Sequence, residues 1–162
     1  MQYICMPIIC LPFNSPARKV ENAMDQRLIH LVLTAAQTLQ THLNRALKDS
    51  GSLVTTAQSG ILFLLMNHDG QSMTDLSRVF HLDNSTVTGL IDRMEKSGLV
   101  ERRPHPRDRR KLLIHITPLG VEESHRALGI IKRVNQDIQT GFTEGDLASF
   151  QRVLQAFFTK FK

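Results

Sequence analysis

At 162 residues, 41% of them hydrophobic, the chain has room for one domain with a real core and an extra helical layer beside it. Its formal charge of +5 favours a polyanionic partner, while two cysteines confined to the first ten residues, Cys5 and Cys10, exclude a disulfide framework and fit a reducing cytoplasm. A Gly-rich phosphate loop, paired carboxylates and a nucleophile constellation are all missing, which argues against an enzyme and against any cofactor.

The opening stretch MQYICMPIICLPF is apolar but lacks a basic flank and carries Pro7 and Pro12. It is too short to span a bilayer and makes a poor signal peptide. Residues 1–21 are expected to form a loosely ordered extension, or to precede a functional start at Met24. From Met24 to Lys48 the residues Leu28, Leu31, Val32, Ala35, Leu39, Leu43 and Ala46 recur at three- and four-residue steps, the mark of a long amphipathic helix ending near Ser50-Gly51. Thr55-x-x-Gln58 has the capping-box pattern and opens a second helix, apolar nearly all round and so expected to be central, which Asp69-Gly70 breaks. Ser72-x-x-Asp75 opens a short third helix with Leu76, Val79 and Phe80 predicted inward.

Asp83 is placed to cap a fourth helix, with Leu82 and Val87 as its hydrophobic staple. Val87, Leu90, Ile91 and Met94 share one stripe of it. Ser85, Thr88, Gly89, Asp92 and Lys96 lie opposite, with Thr86 and Arg93 at the margin, and Gly98 ends it. Val100–Arg103 and Lys111–Ile116 read as two strands joined by a loop that Pro104 and Pro106 keep out of helix. Thr117-Pro118 starts a fifth helix running to about Gln139. A sixth begins at Thr143-x-x-Asp146 and carries Leu147, Phe150, Leu154, Phe157, Phe158 and Phe161 on a near-heptad stripe, a better dimer core than cofactor box.

Two short helices at a tight turn, the second with small polar residues outward, describe a helix-turn-helix whose second helix fits a major groove about 12 Å wide. The same Ser and Thr residues also suit the first turn of any solvated helix. Six of the ten residues from Arg102 to Lys111 are Lys or Arg, against one acid, Asp108. A run of like charge is often only a solvated surface. Here a hairpin would project six cations into a small volume, and Arg offers a planar fork of donors suited to phosphates and narrow grooves. Asp108, two residues before Arg110, can hold that guanidinium extended for a minor groove. The loop has no amphipathic helical period, so a membrane is not its partner.

Taken together, STVTGLIDRMEKSGLVERR (Ser85–Arg103), PRDRR (Pro106–Arg110) and ITPLG (Ile116–Gly120) resemble the multiple antibiotic resistance regulator (MarR) family of bacterial winged-helix repressors. The resemblance extends over roughly residues 24 to 162. It implies a mainly α fold: a winged helix-turn-helix with a two-stranded wing over residues 52–116, and a helical dimerisation layer from residues 22–50 and 117–162. It further implies a homodimer whose first, fifth and sixth helices intertwine, binding a pseudo-palindromic operator in double-stranded DNA. By position Ser85, Thr86 and Thr88 match the groove-contacting part of the recognition helix. Arg110 matches the wing-tip Arg and Asp108 its orienting partner, with Arg103, Arg107, Arg109 and Lys111 completing the cationic surface. Gly89 stands where many members carry a basic residue, and Asp92 with Arg93 matches a pair that is more architectural than sequence-reading. A small phenolic or lipophilic anionic effector, seated between the dimerisation helices and the winged helix, is the family's usual signal.

Two other functions use the same residues. One is a winged-helix adaptor that takes an acidic protein partner on the basic face. The other is a repressor switched by oxidation of Cys5 and Cys10, although an apolar, Pro-broken tail supplies no obvious cause for a lowered thiol pKa. The seven histidines show no i,i+4 pair and neither cysteine lies beside one, so metal binding is not expected. His81, in the turn between the third and fourth helices, is read as a backbone-conformation residue.

Overall fold

The computed structural model describes residues 20–161, without the side chains of residues 20–26, 109 and 110. Cys5, Cys10 and the expected extension up to residue 19 lie outside the described residues. Contacts divide the chain into Met1–Thr38 and Leu39–Lys162. Nine elements follow in order: α1 (Val20–Asp49), α2 (Thr56–Asn67), β1 (Gln71–Ser72), α3 (Met73–Phe80), α4 (Asn84–Lys96), β2 (Val100–His105), β3 (Asp108–Ile116), α5 (Pro118–Gln139) and α6 (Glu144–Lys160).

The helix starts sit where the capping chemistry put them. Thr55 and Gln58 close a reciprocal capping box on α2, and Thr143 with Asp146 does the same on α6. Ser72, Asp83 and Thr117 each accept an orphan N–H at the start of α3, α4 and α5. His81 adopts the left-handed conformation (φ 50, ψ 39) as the C-cap of α3, which accounts for its place in the turn.

Within Leu39–Lys162 a single apolar cluster joins Leu47 of α1, Ile61, Leu62 and Leu65 of α2, Leu76 of α3, Val87, Leu90, Ile91 and Met94 of α4, Ile114 of β3, and Ala127 and Ile130 of α5. Leu82 packs against the same cluster as Val87, as the staple requires. One inward assignment fails: Val79 is 51% exposed. The second helix is central through Ile61, Leu62 and Leu65, although its Phe63 is 50% exposed. On α3 the core stripe is carried by Leu76 and by Phe80, whose ring lies 3.1 Å from where a Cβ on Gly60 of α2 would stand; a helix of two turns has no second face to bury.

The sheet departs from expectation in two ways. It has three strands, ordered β1-β3-β2, because Gln71 and Ser72 pair with Ile114 and Leu113. Two residues are too few to show an alternating pattern. The wing strands also run further than predicted, β2 to His105 and β3 from Asp108, so the supposed loop narrows to a Pro106–Arg107 turn, with Pro104 paired to Leu112 and His105 to Asp108. Pro104 is tolerated because β2 is the edge strand.

Polar contacts fasten the helices to this sheet. Asp69 accepts from the Ile116 N–H at 2.9 Å and meets His115 Nδ1 at 2.8 Å, pinning the α2–β1 turn to β3. Thr117 donates to the Gly98 carbonyl at 2.6 Å and accepts from Gly120 N at 3.0 Å. Glu123, only 1% exposed, accepts from Ser52 Oγ at 3.0 Å and Leu53 N at 2.9 Å, while its other oxygen pairs with Arg126 at 2.6 Å. A buried carboxylate is stable only with such company. It ties α5 to the segment leading into α2.

Candidate nucleic-acid interface

The outer face of α4 begins with its cap. The Asp83 carboxylate accepts from Thr86 N at 2.8 Å, from Thr86 Oγ1 at 2.7 Å and from the Ser85 hydroxyl. Those bonds, the Ser85 one first, hold Asp83 far below the usual carboxylate range. Thr88 donates back to the Asn84 carbonyl at 2.7 Å. Ser85, Thr86 and Thr88 are all exposed, while Val87, Leu90, Ile91 and Met94 point into the core. The three predicted groove residues therefore share the solvent side of the helix's first turns. Gly89 lies beside them, where a Cβ would meet only the Arg93 guanidinium at 3.5 Å.

Wing and helix are locked together by a residue given no such role in advance. Arg102 contacts Asp92 at 2.6 Å and also Glu95, and its backbone N–H donates to Glu95 at 3.2 Å. Its guanidinium loses solvation, which opposes its charge, but the bonds to Asp92 and Glu95 outweigh this and raise its pKa. This corrects the expectation of six projecting cations: Arg102 is turned onto α4. It also places Asp92 with Arg102 rather than with Arg93. Strand alternation is the cause, since Arg102 faces the helix and Arg103 the other side. Arg103 is exposed and pairs with Glu101, two residues away on its own face of β2. The six charges are thus partly compensated by neighbouring carboxylates.

At the tip, Arg107 is exposed in the turn and its N–H donates to His105 Nδ1 at 3.1 Å. Register passes from Pro104↔Leu112 to His105↔Asp108, so residues 109–111 bulge from the β3 side of the hairpin. Lys111 is exposed, with its ammonium 4.0 Å from Asp108. Asp108 is half-buried; the side chains of Arg109 and Arg110, and with them the expected Asp108–Arg110 pairing, lie outside the described residues. The structure brings Ser85, Thr86 and Thr88 together on α4 and carries Arg103, Arg107, Asp108 and Lys111 on the adjoining hairpin.

Sequence reasoning passed over two residues of this surface. Arg102 could have been found by matching strand alternation to the acidic pair Asp92 and Glu95. Asn84, exposed at the first position of α4, had no signal beyond its place after the cap.

Residues 54–112 match the model of the MarR family. The multiple antibiotic resistance protein MarR of Escherichia coli is 28% identical over 132 residues, 80% of this chain and 87% of that protein. Over these residues the chain is similar to the MarR family. Another relative, the transcriptional repressor IacR of Pseudomonas putida, is 28% identical over 98 residues, 60% of this chain and 59% of its own. The chain spans less than two thirds of the length of several curated relatives it matches, IacR among them. Among solved structures, the S. aureus MepR–DNA complex shares the fold at a TM-score of 0.73 and 18% identity, covering 81% of this chain and 96% of that one. Members of the MarR family are transcription regulators, not enzymes. Among the described residues no helix is long and apolar enough to cross a membrane.

Proposed function

We propose that this chain is a member of the MarR family and a cytoplasmic, sequence-specific DNA-binding repressor that acts as a homodimer on a pseudo-palindromic operator. The observation that carries the reading is the exposed Ser85, Thr86 and Thr88 face of α4, set beside a hairpin bearing Arg103, Arg107 and Lys111 and joined to it through Arg102. A helix in the major groove with a cationic hairpin alongside divides the work in the usual way, side chains to base edges and guanidinium groups to phosphates or the minor groove. Arg109 and Arg110 belong to the same hairpin by sequence.

Dimerisation is supported by apolar surface without an internal partner. In Leu39–Lys162, α6 buries none of its residues, and Phe142, Phe150, Val153, Phe158 and Phe161 are 50–73% exposed. In Met1–Thr38, Leu28, Ile29, Leu31 and Leu33 of α1 are 60–66% exposed. Aromatic surface on that scale marks an interface, and residues 22–50 and 117–162 would supply it. A small phenolic or lipophilic anionic effector belongs to this reading on the family resemblance alone.

Gel retardation of the DNA flanking the gene, titrated with salt, tests the proposal. A discrete shift that weakens steeply with salt is expected. DNA left unshifted at low salt would overturn the proposal and favour the adaptor for an acidic protein partner.

A further inference from the structure

We propose that Asn84 is the principal base-reading residue of this helix, taking adenine through its amide, and that the neighbouring hydroxyls act as acceptors that exclude guanine. This rests on the DNA-binding role proposed above.

The argument is a count of protons. Each Ser or Thr hydroxyl has one proton to donate. Ser85 and Thr86 both bond the Asp83 carboxylate, which is ionised and has none to give, so both must be donors. Thr88 bonds the Asn84 carbonyl, also an acceptor only, so its proton is spent too. What the three hydroxyls present to a groove is lone pairs. Adenine N6 and cytosine N4 can donate to them; the N7 and O6 edge of guanine cannot.

Asn84 is the complement. It is exposed at the first position of α4, and among the described residues its side-chain amide makes no hydrogen bond. An amide sets a donor and an acceptor side by side, the spacing that matches N7 and N6 of adenine. Thr88 lies one turn further on the same face. The remaining exposed cations of α4, Arg93 and Lys96, lie about 13 Å or more further along the axis, where phosphates pass. As an ordinary solvated residue Asn84 would bring no benefit, because Asp83 already supplies the cap and Asn is a poor helix former.

Selection from a random DNA pool, run in parallel on the parent, Asn84→Ala and Asn84→Asp, tests the assignment. The parent is expected to enrich one adenine in each half-site. Asn84→Ala should lose that preference, with affinity for the selected site falling roughly ten- to hundredfold. Asn84→Asp, left with acceptors only, should move the preference toward cytosine. Thermal melting of both variants at or near the parent value shows that the fold is intact. The same base preference in all three proteins, or guanine enriched by the parent at that position, overturns the assignment. A parent that enriches no motif defeats the DNA-binding role itself.

Discussion

Asp83 shows how one side chain can both cap a helix and orient the hydroxyls beside it. It satisfies the first turn of α4 and fixes which way two hydroxyls point. With Asp75 and Asp146, whose serine or threonine partners likewise lower their pKa, it makes the protein acid-sensitive in one direction. Their folded pKa values lie below the unfolded value near 3.8, so the unfolded chain binds more protons in between. The stabilisation is complete above the ordinary carboxylate range and is lost progressively as pH falls from there to the lowered folded values. Melting temperature should therefore drop steeply below about pH 4, and Asp83→Asn, which keeps an accepting carbonyl, should make that drop shallower. A pH–melting profile identical to the parent's would remove Asp83 from the account.

Arg102 and Arg110 are both wing arginines with opposite expected phenotypes. Arg102→Ala leaves Asp92 and Glu95 facing each other without their cation, and it should lower the urea midpoint by the equivalent of about 1–2 kcal/mol, discounted because both acids are partly exposed. Arg110→Ala should leave stability unchanged while reducing the slope of log affinity against log salt by about one. An Arg110→Ala protein that binds like the parent at every salt concentration would show that the residue touches no DNA. Both arginines sit in one run of charge in the sequence. Only strand alternation, realised against an acidic helix face, separates Arg102 as a structural residue.

At the scale of elements, the junction of β2 with α5 depends on close approach. A Cβ on Gly120 would lie 2.1 Å from the Leu99 carbonyl oxygen and 2.8 Å from Ile116 Cγ1. Gly120→Ala must push α5 off the sheet, at a cost of about 1–3 kcal/mol or more, read as a lower melting temperature. Gly89→Ala is the contrasting case. Its Cβ meets only the flexible end of Arg93 at 3.5 Å, so α4 should gain about 0.5–1 kcal/mol of stability. Nothing in the ITPLG stretch distinguishes a packing glycine from a turn glycine. The requirement comes from the neighbouring strand. Helix starts, in contrast, were legible in advance, because a cap and its third residue are local partners, as at Thr55–Gln58 and Thr143–Asp146. β1 was not, since its two residues form a strand only through pairing with Leu113 and Ile114.

For the whole molecule, the proposed homodimer would cover the exposed aromatics of α6 and the exposed aliphatic residues of α1. Sedimentation of the parent should give a dimer. Phe158→Asp combined with Phe161→Asp should shift it toward monomer, with a loss of about a hundredfold or more in affinity for a two-half-site operator, because the second half-site no longer binds in an intramolecular step. A double variant that remains dimeric would place the interface elsewhere.

By itself the sequence determined whatever depends on near neighbours along the chain: the helix caps, the apolar stripe of α4, a backbone role for His81, and the order of capped helix, basic hairpin and Thr-Pro helix start. Those interactions close within one or two turns, so residue spacing encodes them. The tertiary structure alone decided which wing arginine is structural, which glycine admits no side chain, that a third strand completes the sheet, and that Asn84 has no side-chain partner among the described residues where its neighbours' protons are spent. Each of these depends on atoms brought together from distant positions, or on the direction in which a hydrogen bond is donated, and spacing along the chain carries neither.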